Sequence, residues 1–373
     1  MNTSASPLAE LARSGKPIGV GIIGLGARGS WAQRSHLPAL RALPGYELRA
    51  LSTSSKRSAE LSGHTHGVPR TFGTAAELAA CDDVDLVVVA VKVPHHRELV
   101  TAALDAGKGV LCEWPLGNGL AEAEDMARLA RDRSVPTAVG LQARSHPVLA
   151  HMRDLVADGY VGEVLSTTVV GSGGAWGATV GPGDHYVLDA ANGATLLTVP
   201  FGHALDGLAS VLGEPEELRI HLASRRTSAV DTESGRPVPM TAADQVVASG
   251  RLPGGAVVTF HYRGGMSRGT NFRWEINGTE GDLVLTAPVG HPQLSPLTLE
   301  GGRGTSTGLA PLTVPERYLR VPHLDPRADA PAYAVAHAYR QFLDDLREGT
   351  SHVPDFAHGA ARHRSIASTT TST

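Results

Sequence analysis

Three stretches of this chain hold residue types that can do chemistry. The first is Gly24-x-Gly26-x-x-Gly29, with Ala27 and Arg28 between the last two glycines, closing the apolar run "PIGVGIIGLGARG". Glycines so spaced permit a tight turn and let backbone amides approach a pyrophosphate, so the motif predicts dinucleotide binding. Among 43 glycines a triplet arises by chance, and its place between a strand-like run and a helix-compatible stretch gives it weight. The second is Lys92, in "VAVKVP", a charge in an otherwise apolar run. Only Lys16, Lys56, Lys92 and Lys108 are lysines, in a chain with 33 basic residues. Arginine serves an ion pair at least as well, whereas a lysine ammonium titrates when partly buried. The alternatives are a snorkelling surface lysine or one that binds a ribose. The third is Trp176, His185, Tyr186 and Asp189, within "SGGAWGATVGPGDHYVLD". Aromatic faces stack on a sugar ring while polar neighbours pair with its hydroxyls, and Tyr186 can supply a phenolic proton. Equally, these residues can anchor an ordered Gly-rich loop.

A second strand, "YELRALSTSS", reaches the position about 20 residues beyond the glycines where an acid commonly holds the NAD ribose. Ser52, Thr53, Ser54 and Ser55 stand there, followed by Lys56 and Arg57. With no carboxylate to repel a 2′-phosphate and two cations to hold one, the stretch favours NADP over NAD. The alternative is that Lys56 and Arg57 merely begin a solvated helix.

The elements that must position these groups alternate in type. "VDLVVVAVKVP" reads as a buried strand, "HHRELVTAALDAGK" as a helix, "GVLCEWP" as a strand, "LAEAEDMARLARDRS" as a helix and "PTAVGLQAR" as a strand. Short connections between them predict a doubly wound parallel sheet, a Rossmann domain over residues 17–145. Ligands of such sheets bind beyond the carboxyl ends of the strands. That places Lys92, Pro94, Glu113, Trp114, Gln142 and Arg144 at the mouth of a cofactor crevice, with Val91 and His96 beside them.

From about residue 146 the pattern changes. A helix-like "PVLAHMRDLVADG" precedes "VGEVLSTTVVG", and a helical "ATLLTVPFGHALDGLASVLG" precedes four strand candidates, "ELRIHLASR", "DQVVASGRL", "AVVTFHYRG" and "FRWEINGTEGDLVLT". These predict an α+β domain over residues 146–350 with a large open antiparallel sheet. Such a sheet exposes a face that another subunit commonly covers, so a homodimer or homotetramer is expected, the alternative being a solvated face. The long amphipathic "APAYAVAHAYRQFLDDLREG" is a candidate to fold back on the first domain. Residues 351–373 are expected to pack on or near that domain with a disordered tail, and residues 1–16 to form a flexible lead-in.

Composition narrows the classes. A net charge of −4 and no basic helix argue against nucleic acid, and no apolar run approaches membrane-spanning length. Two cysteines, Cys81 and Cys112, and an N-terminus without a signal-peptide core point to the cytoplasm. No cysteine and histidine cluster has metal-ligand spacing, and no G-x-S-x-G elbow is present.

The motifs in order, GxGxxG, then Pro94 and His96 ahead of "ALDAGKGVLCEWP", then "VGEV", "GHALD" and "INGTEGDL", resemble the glucose–fructose oxidoreductase/inositol dehydrogenase/MocA family over nearly the whole chain. The resemblance implies an NAD(P)-dependent dehydrogenase of sugars, cyclitols and their derivatives. It also implies a catalytic set of a lysine from E-K-P with an aspartate and a histidine from D-x-G-x-H. Carried over by position, the glutamate is Glu113, the proline Pro115 and the histidine His203. Trp114 stands in the lysine's place and Val199 in the aspartate's. "VKVPHH", "EWPLG", "LQARSHP", "GGAWG" and "FGHALD" are more similar still to the branch of the fungal galactose-pathway transcription repressor, which keeps the fold for regulation through a protein partner. Two readings are open. One is an oxidoreductase in which Lys92 replaces the missing ammonium and His203 exchanges the substrate proton, with Trp114 stacking on sugar or nicotinamide. The other is a catalytically silent cofactor sensor. A packed, structural His203 is the plain alternative to the acid–base role.

Overall fold

A computed structural model describes residues 6–368 and 370–372. Contacts divide the chain into two units: the chain up to Ser145 together with Val321–His363, and His146–Arg320 together with the end of the chain from Arg364.

The first unit is built on a six-stranded parallel sheet of β1 (Ile18–Ile23), β2 (Tyr46–Ser52), β3 (Arg70–Phe72), β4 (Leu86–Val89), β5 (Gly109–Glu113) and β6 (Thr137–Gly140). Its order is β3-β2-β1-β4-β5-β6, every pair parallel, the doubly wound arrangement expected from the alternation. Val and Ile runs fill β1 and β4 because both faces are covered, and Ile18, Val20, Ile22, Leu86 and Val88 are fully buried.

The Ala330–Glu348 helix belongs to this unit, although the sequence division assigned it to residues 146–350. Its apolar stripe, Val335, Tyr339, Phe342, Leu343 and Leu346, joins the core formed by β1, β2 and β4. A chain can leave a domain and return, as expected of this helix when its amphipathic stripe made it a candidate to fold back on the first domain. The lead-in is also ordered from Pro7: a helix Pro7–Arg13 is capped by Ser6, and Leu8 and Ala12 sink into the same core. Residues 1–5 lie outside the described residues.

The second unit carries a nine-stranded sheet, counted among the described residues. In order across the sheet the strands are Ala310–Pro311, Thr298–Arg303, Gly281–Ala287, Phe272–Gly278, Val164–Gly173, Val257–Gly264, Gln245–Arg251, Glu217–Ala223 and Thr370–Ser372. It is mostly antiparallel. Val164–Gly173 runs parallel to Val257–Gly264, and the tail strand runs parallel to Glu217–Ala223. The tail is therefore an edge strand over Thr370–Ser372, where disorder was expected from composition: backbone pairing does not need apolar side chains. One face of the sheet is dry, with Phe260, Tyr262, Trp274 and Ile276 buried, and Phe201 meets Phe260 and Tyr262 edge-on at 5.2 and 6.2 Å. Among the described residues, no helix is long and apolar enough to cross a membrane.

Candidate functional site

The glycine motif sits where β1 ends. Gly24 has φ +101°, and a Cβ there would lie 2.4 Å from the Ala90 carbonyl oxygen, so a side chain would prise β1 from the end of β4. Gly29 has φ +72° with open space around its Cα. The turn is held from the helical side: Ser30 Oγ accepts from the amides of Gly26 and Gln33 at 3.2 Å, and Gln33 Oε1 accepts from Gly29 at 2.6 Å. The turn leads into a four-residue helix, Trp31–Arg34, and then His36–Arg41, in place of one long helix. Beside the loop lies a cavity of about 590 Å³ lined by Gly24, Gly26, Ser52, Thr53, Ser54 and Val91, among others. Close backbone, serine hydroxyls and this volume fit one end of a dinucleotide. Ala27 is half-buried and Arg28 exposed. Lys56 and Arg57 are exposed on the first turn of the Lys56–His66 helix, whose N-cap Ser55 accepts from the Ser58 amide at 3.2 Å.

Lys92 is exposed, immediately ahead of the short turn Val93–His95, with Pro94 also exposed. The partial burial expected of Lys92 is absent because β4 ends at Val89, three residues earlier. His96 departs further from expectation. It is buried, with Nδ1 facing the carbonyls of Pro115 and Leu116 at 3.0 and 3.2 Å and Nε2 facing that of Val91 at 3.1 Å. Burial lowers its pKa although the carbonyls oppose the shift. His96 thus staples two strand ends together and has no ring nitrogen left for a cofactor.

Glu113 closes β5 inside a polar network. Its Oε1 lies 2.9 Å from His36 Nε2, and the Gln142 amide donates to both carboxylate oxygens at 3.4 and 3.2 Å. His36 Nδ1 meets the Tyr339 hydroxyl at 2.8 Å, and Tyr46 donates to the Tyr339 carbonyl at 2.8 Å. A Cβ on Gly140 would stand 2.7 Å from Glu113 Oε1, so the carboxylate is accommodated only by a glycine on the adjacent strand. Glu113 and the Gln142 amide nitrogen serve this network, while Gln142 Oε1 is buried without a hydrogen-bond partner. Trp114 is 5% exposed, with its ring 4.6 Å from that of His363, so it offers no open face for stacking within its own unit. Burial pushes His363 down to about 4. Arg144 is half-buried, its Nη1 at 3.0 Å from His358 Nε2.

In the second unit, His203 opens the Gly202–Leu212 helix directly after a π-helical turn, Leu197–Phe201, that contains Pro200. Such widened turns recur at functional sites. His203 is 3% exposed, and its Nδ1 is buried without a hydrogen-bond partner. Burial, and then the neighbouring His291, push its pKa down to about 3 against the pull of Asp206. The aromatic loop is more structural than its composition suggests. Trp176 is 3% exposed and donates from Nε1 to the Val187 carbonyl at 3.0 Å, so it is an anchor and not a platform. His185 Nε2 lies 2.6 Å from Asp231 Oδ2. The Ser234 amide and hydroxyl, with His185, hold that carboxyl below the ordinary carboxylate range. Asp189 accepts from the Ala191 amide and the Thr241 hydroxyl, capping a turn. Tyr186 is half-buried, and desolvation raises its pKa. His36, Tyr339, His291 and His363 escaped sequence reasoning: each is a lone polar residue without spacing to a partner.

Comparison with known proteins agrees with this division. Residues 18–141 match the oxidoreductase family with NAD-binding Rossmann fold, and residues 147–287 match the C-terminal domain of Gal80p. The dehydrogenase aclE of Aspergillus oryzae is 39% identical over 212 residues, covering 55% of this chain and 58% of that protein. The galactose/lactose metabolism regulatory protein GAL80 of Saccharomyces cerevisiae is 29% identical over 316 residues, 76% of this chain and 70% of that protein. Among solved structures, a super-repressor mutant of Gal80p from Saccharomyces cerevisiae superimposes with a TM-score of 0.84 at 25% identity, covering 94% of each chain.

Proposed function

From membership of the glucose–fructose oxidoreductase/inositol dehydrogenase/MocA family, to which this chain belongs, we infer that it is an NAD(P)-dependent oxidoreductase. Its substrate is a sugar, glycoside or related polyhydroxy or carbonyl compound. The observation that carries this reading over mere cofactor binding is the buried His203 nitrogen without a partner. An unsatisfied buried polar atom costs stability, a cost that a substrate hydroxyl bonded to His203 would relieve.

The glycine turn of Gly24, Gly26 and Gly29, with Ala27, Arg28, Ser52, Ser54, Val91 and Pro94, would hold the dinucleotide. Lys56 and Arg57 on the adjoining helix favour a 2′-phosphate, hence NADP over NAD. When bound, the nicotinamide would supply the hydride donor or acceptor. His203, unprotonated at neutral pH, takes the proton of a substrate hydroxyl and returns it in reduction. Lys92, the exposed cation beyond β4 in the first unit, is the candidate ammonium for the oxygen that gains charge, the role that Trp114 in the family lysine's position cannot fill. Tyr186, held protonated, is the alternative donor.

The other face of the nine-stranded sheet carries Val247 and Val257 at 44% and 51% exposure, and it pairs with a second copy of the chain. Free, buried Cys81 and Cys112 suit a reducing cytoplasm. The second reading, a catalytically silent sensor acting through a protein partner, is favoured by the Gal80p-like second unit. Reduced-nicotinamide absorbance, followed with each cofactor and a panel of sugars, glycosides and keto-sugars, separates the two. Turnover that disappears in His203→Ala supports the enzyme, and tight cofactor binding without turnover supports the sensor.

A further inference from the structure

The glycine turn is held on two sides, and the second side is a helix outside the motif. The Lys56–His66 helix lies against β3, closely enough that a Cβ on Gly63 would stand 2.3 Å from Thr71 Cγ2. Two of its buried side chains reach the turn. Ser62, fully buried, donates from Oγ to the Leu25 carbonyl at 2.6 Å. His66, 9% exposed, brings Nε2 to the Gly26 carbonyl at 3.0 Å. A carbonyl only accepts, so His66 Nε2 carries a proton and donates. His66 is itself tied down, because Arg41, the last residue of the His36–Arg41 helix, donates from Nη2 to its carbonyl at 2.8 Å. The turn thus sits in a closed frame. Ser30 and Gln33 take the amide protons of Gly26 and Gly29, and Ser62 and His66 grip the carbonyls of Leu25 and Gly26.

Those grips have a stereochemical consequence. The peptides of the turn are trans, so each carbonyl and the N–H of the next residue point in opposite directions. The bond from Ser62 to the Leu25 carbonyl turns the Gly26 N–H away from the Lys56–His66 helix, and it meets Ser30 Oγ at 3.2 Å. The bond from His66 to the Gly26 carbonyl does the same to the Ala27 N–H, which has no hydrogen-bond partner among the described residues. Gly26 lines the cavity of about 590 Å³, so this free donor stands beside it. Glycines give the turn unusual backbone freedom, and the helix that follows is only four residues long, so the turn does not inherit its shape from a helix. Without an outside brace the Gly26–Ala27 peptide would rotate, and binding would carry the cost of ordering it.

We propose that His66 is a positioning residue for the cofactor: by holding the Gly26 carbonyl it presets the Ala27 amide to donate to the pyrophosphate. The inference rests on the dinucleotide reading of the glycine turn. It goes beyond that reading in tracing the grip on the pyrophosphate to a side chain 40 positions away, which acts only through Gly26. It also divides the roles along one helix. The first turn, with Lys56 and Arg57, faces the feature that distinguishes NADP, whereas the last residue serves the part that NAD and NADP share.

The test uses the full chain. Dissociation constants are measured for NAD, NADP and ADP-ribose, which carry a pyrophosphate, and for adenosine, which does not. His66→Phe keeps a planar ring and loses the donor. It should weaken all three diphosphates by one common factor, about three- to tenfold, and leave adenosine unchanged. His66→Gln, whose side-chain amide donates from a similar reach, should recover most of that loss, which a role in packing alone would not produce. Should His66→Phe not fold, Arg41→Ala at an exposed position carries the same test, since it releases the His66 backbone. It should weaken the three diphosphates by a smaller factor and again spare adenosine. Undiminished diphosphate binding in His66→Phe, an equal loss for adenosine, or a His66→Gln no better than His66→Phe would overturn the proposal while the parent still binds NAD or NADP. A parent that binds none of the three diphosphates would overturn the dinucleotide reading and this inference together. Binding without hydride transfer, with the His66 pattern as expected, would sink the oxidoreductase reading and leave the positioning role standing.

Discussion

The two units each bury a histidine cluster, and the clusters are wired in opposite ways. In the first, His36 is engaged at both ring nitrogens, by Glu113 and Tyr339, and Gln142 completes the carboxylate's contacts. In the second, His203 and His291 each enclose an Nδ1 that meets no partner. The Glu113 carboxylate and both His36 nitrogens are satisfied, although Gln142 Oε1 beside them is not. The two second-unit histidines each leave a ring nitrogen unsatisfied, at a cost in stability. The difference separates a histidine whose two ring nitrogens hold elements of the fold together from two histidines whose Nδ1 atoms hold nothing.

The sharpest way to break this contrast is through His203. Removing its proton-accepting nitrogen in His203→Ala should lower kcat by about 10² to 10⁴-fold while the melting temperature stays within a few degrees. A large loss of stability with a modest kinetic effect would make it a structural histidine. Glu113→Leu should show the mirror image. Leaving the His36 and Gln142 donors without an acceptor costs about 3 kcal/mol, read as a lower urea midpoint. Equal stability of that variant would remove Glu113 from the set of structural groups.

Acid should expose the same asymmetry. Burial holds His203 near 3 and His291 near 4, so the folded chain leaves both unprotonated where the unfolded chain begins to bind protons, below about pH 6.5. Their contribution is level above that pH. It then falls, by about 1.4 kcal/mol per pH unit for each group, until the folded pKa is reached. Urea midpoints measured from pH 7 to pH 5 should drop less steeply in the His203→Gln, His291→Gln double variant than in the parent, and parallel slopes would contradict the shifts. Gly24→Ala should weaken the cofactor and cost about 1 to 2 kcal/mol, because β1 cannot keep its approach to Ala90. The smallest expected effect is that of Lys56→Ala with Arg57→Ala. It should narrow any NADP preference by about tenfold in relative Kd and leave NAD affinity and stability unchanged. A shift in NAD affinity of the same size would assign these residues a general role.

Much of the fold was legible because its signals are local. Alternating apolar strands and amphipathic helices predicted the doubly wound sheet, and the change of period after residue 146 marked the second unit. The Ala330–Glu348 helix shows the limit. Its stripe announced burial and made it a candidate to fold back on the first domain, yet nothing in it named β1, β2 and β4 as the strands whose core it joins. The candidate site divides in the same way. The glycine turn was readable because its chemistry lies within six residues, whereas Trp176 and Asp189 read as ligand contacts until their partners, Val187 and Thr241, came into view.

The sequence by itself determined that a glycine turn follows β1, that no acid stands at Ser52 to Arg57, and that tryptophan occupies position 114. Each is a matter of residue type at a position, fixed before folding. Only the tertiary structure decided which polar groups are satisfied. His36 and His203 are the same residue type in sequence. One meets a carboxylate 77 positions away and a tyrosine 303 positions away, and the other keeps a buried nitrogen without a partner. Burial and partnership depend on contacts between distant segments, and those contacts set both the pKa of a histidine and whether it is left for a ligand.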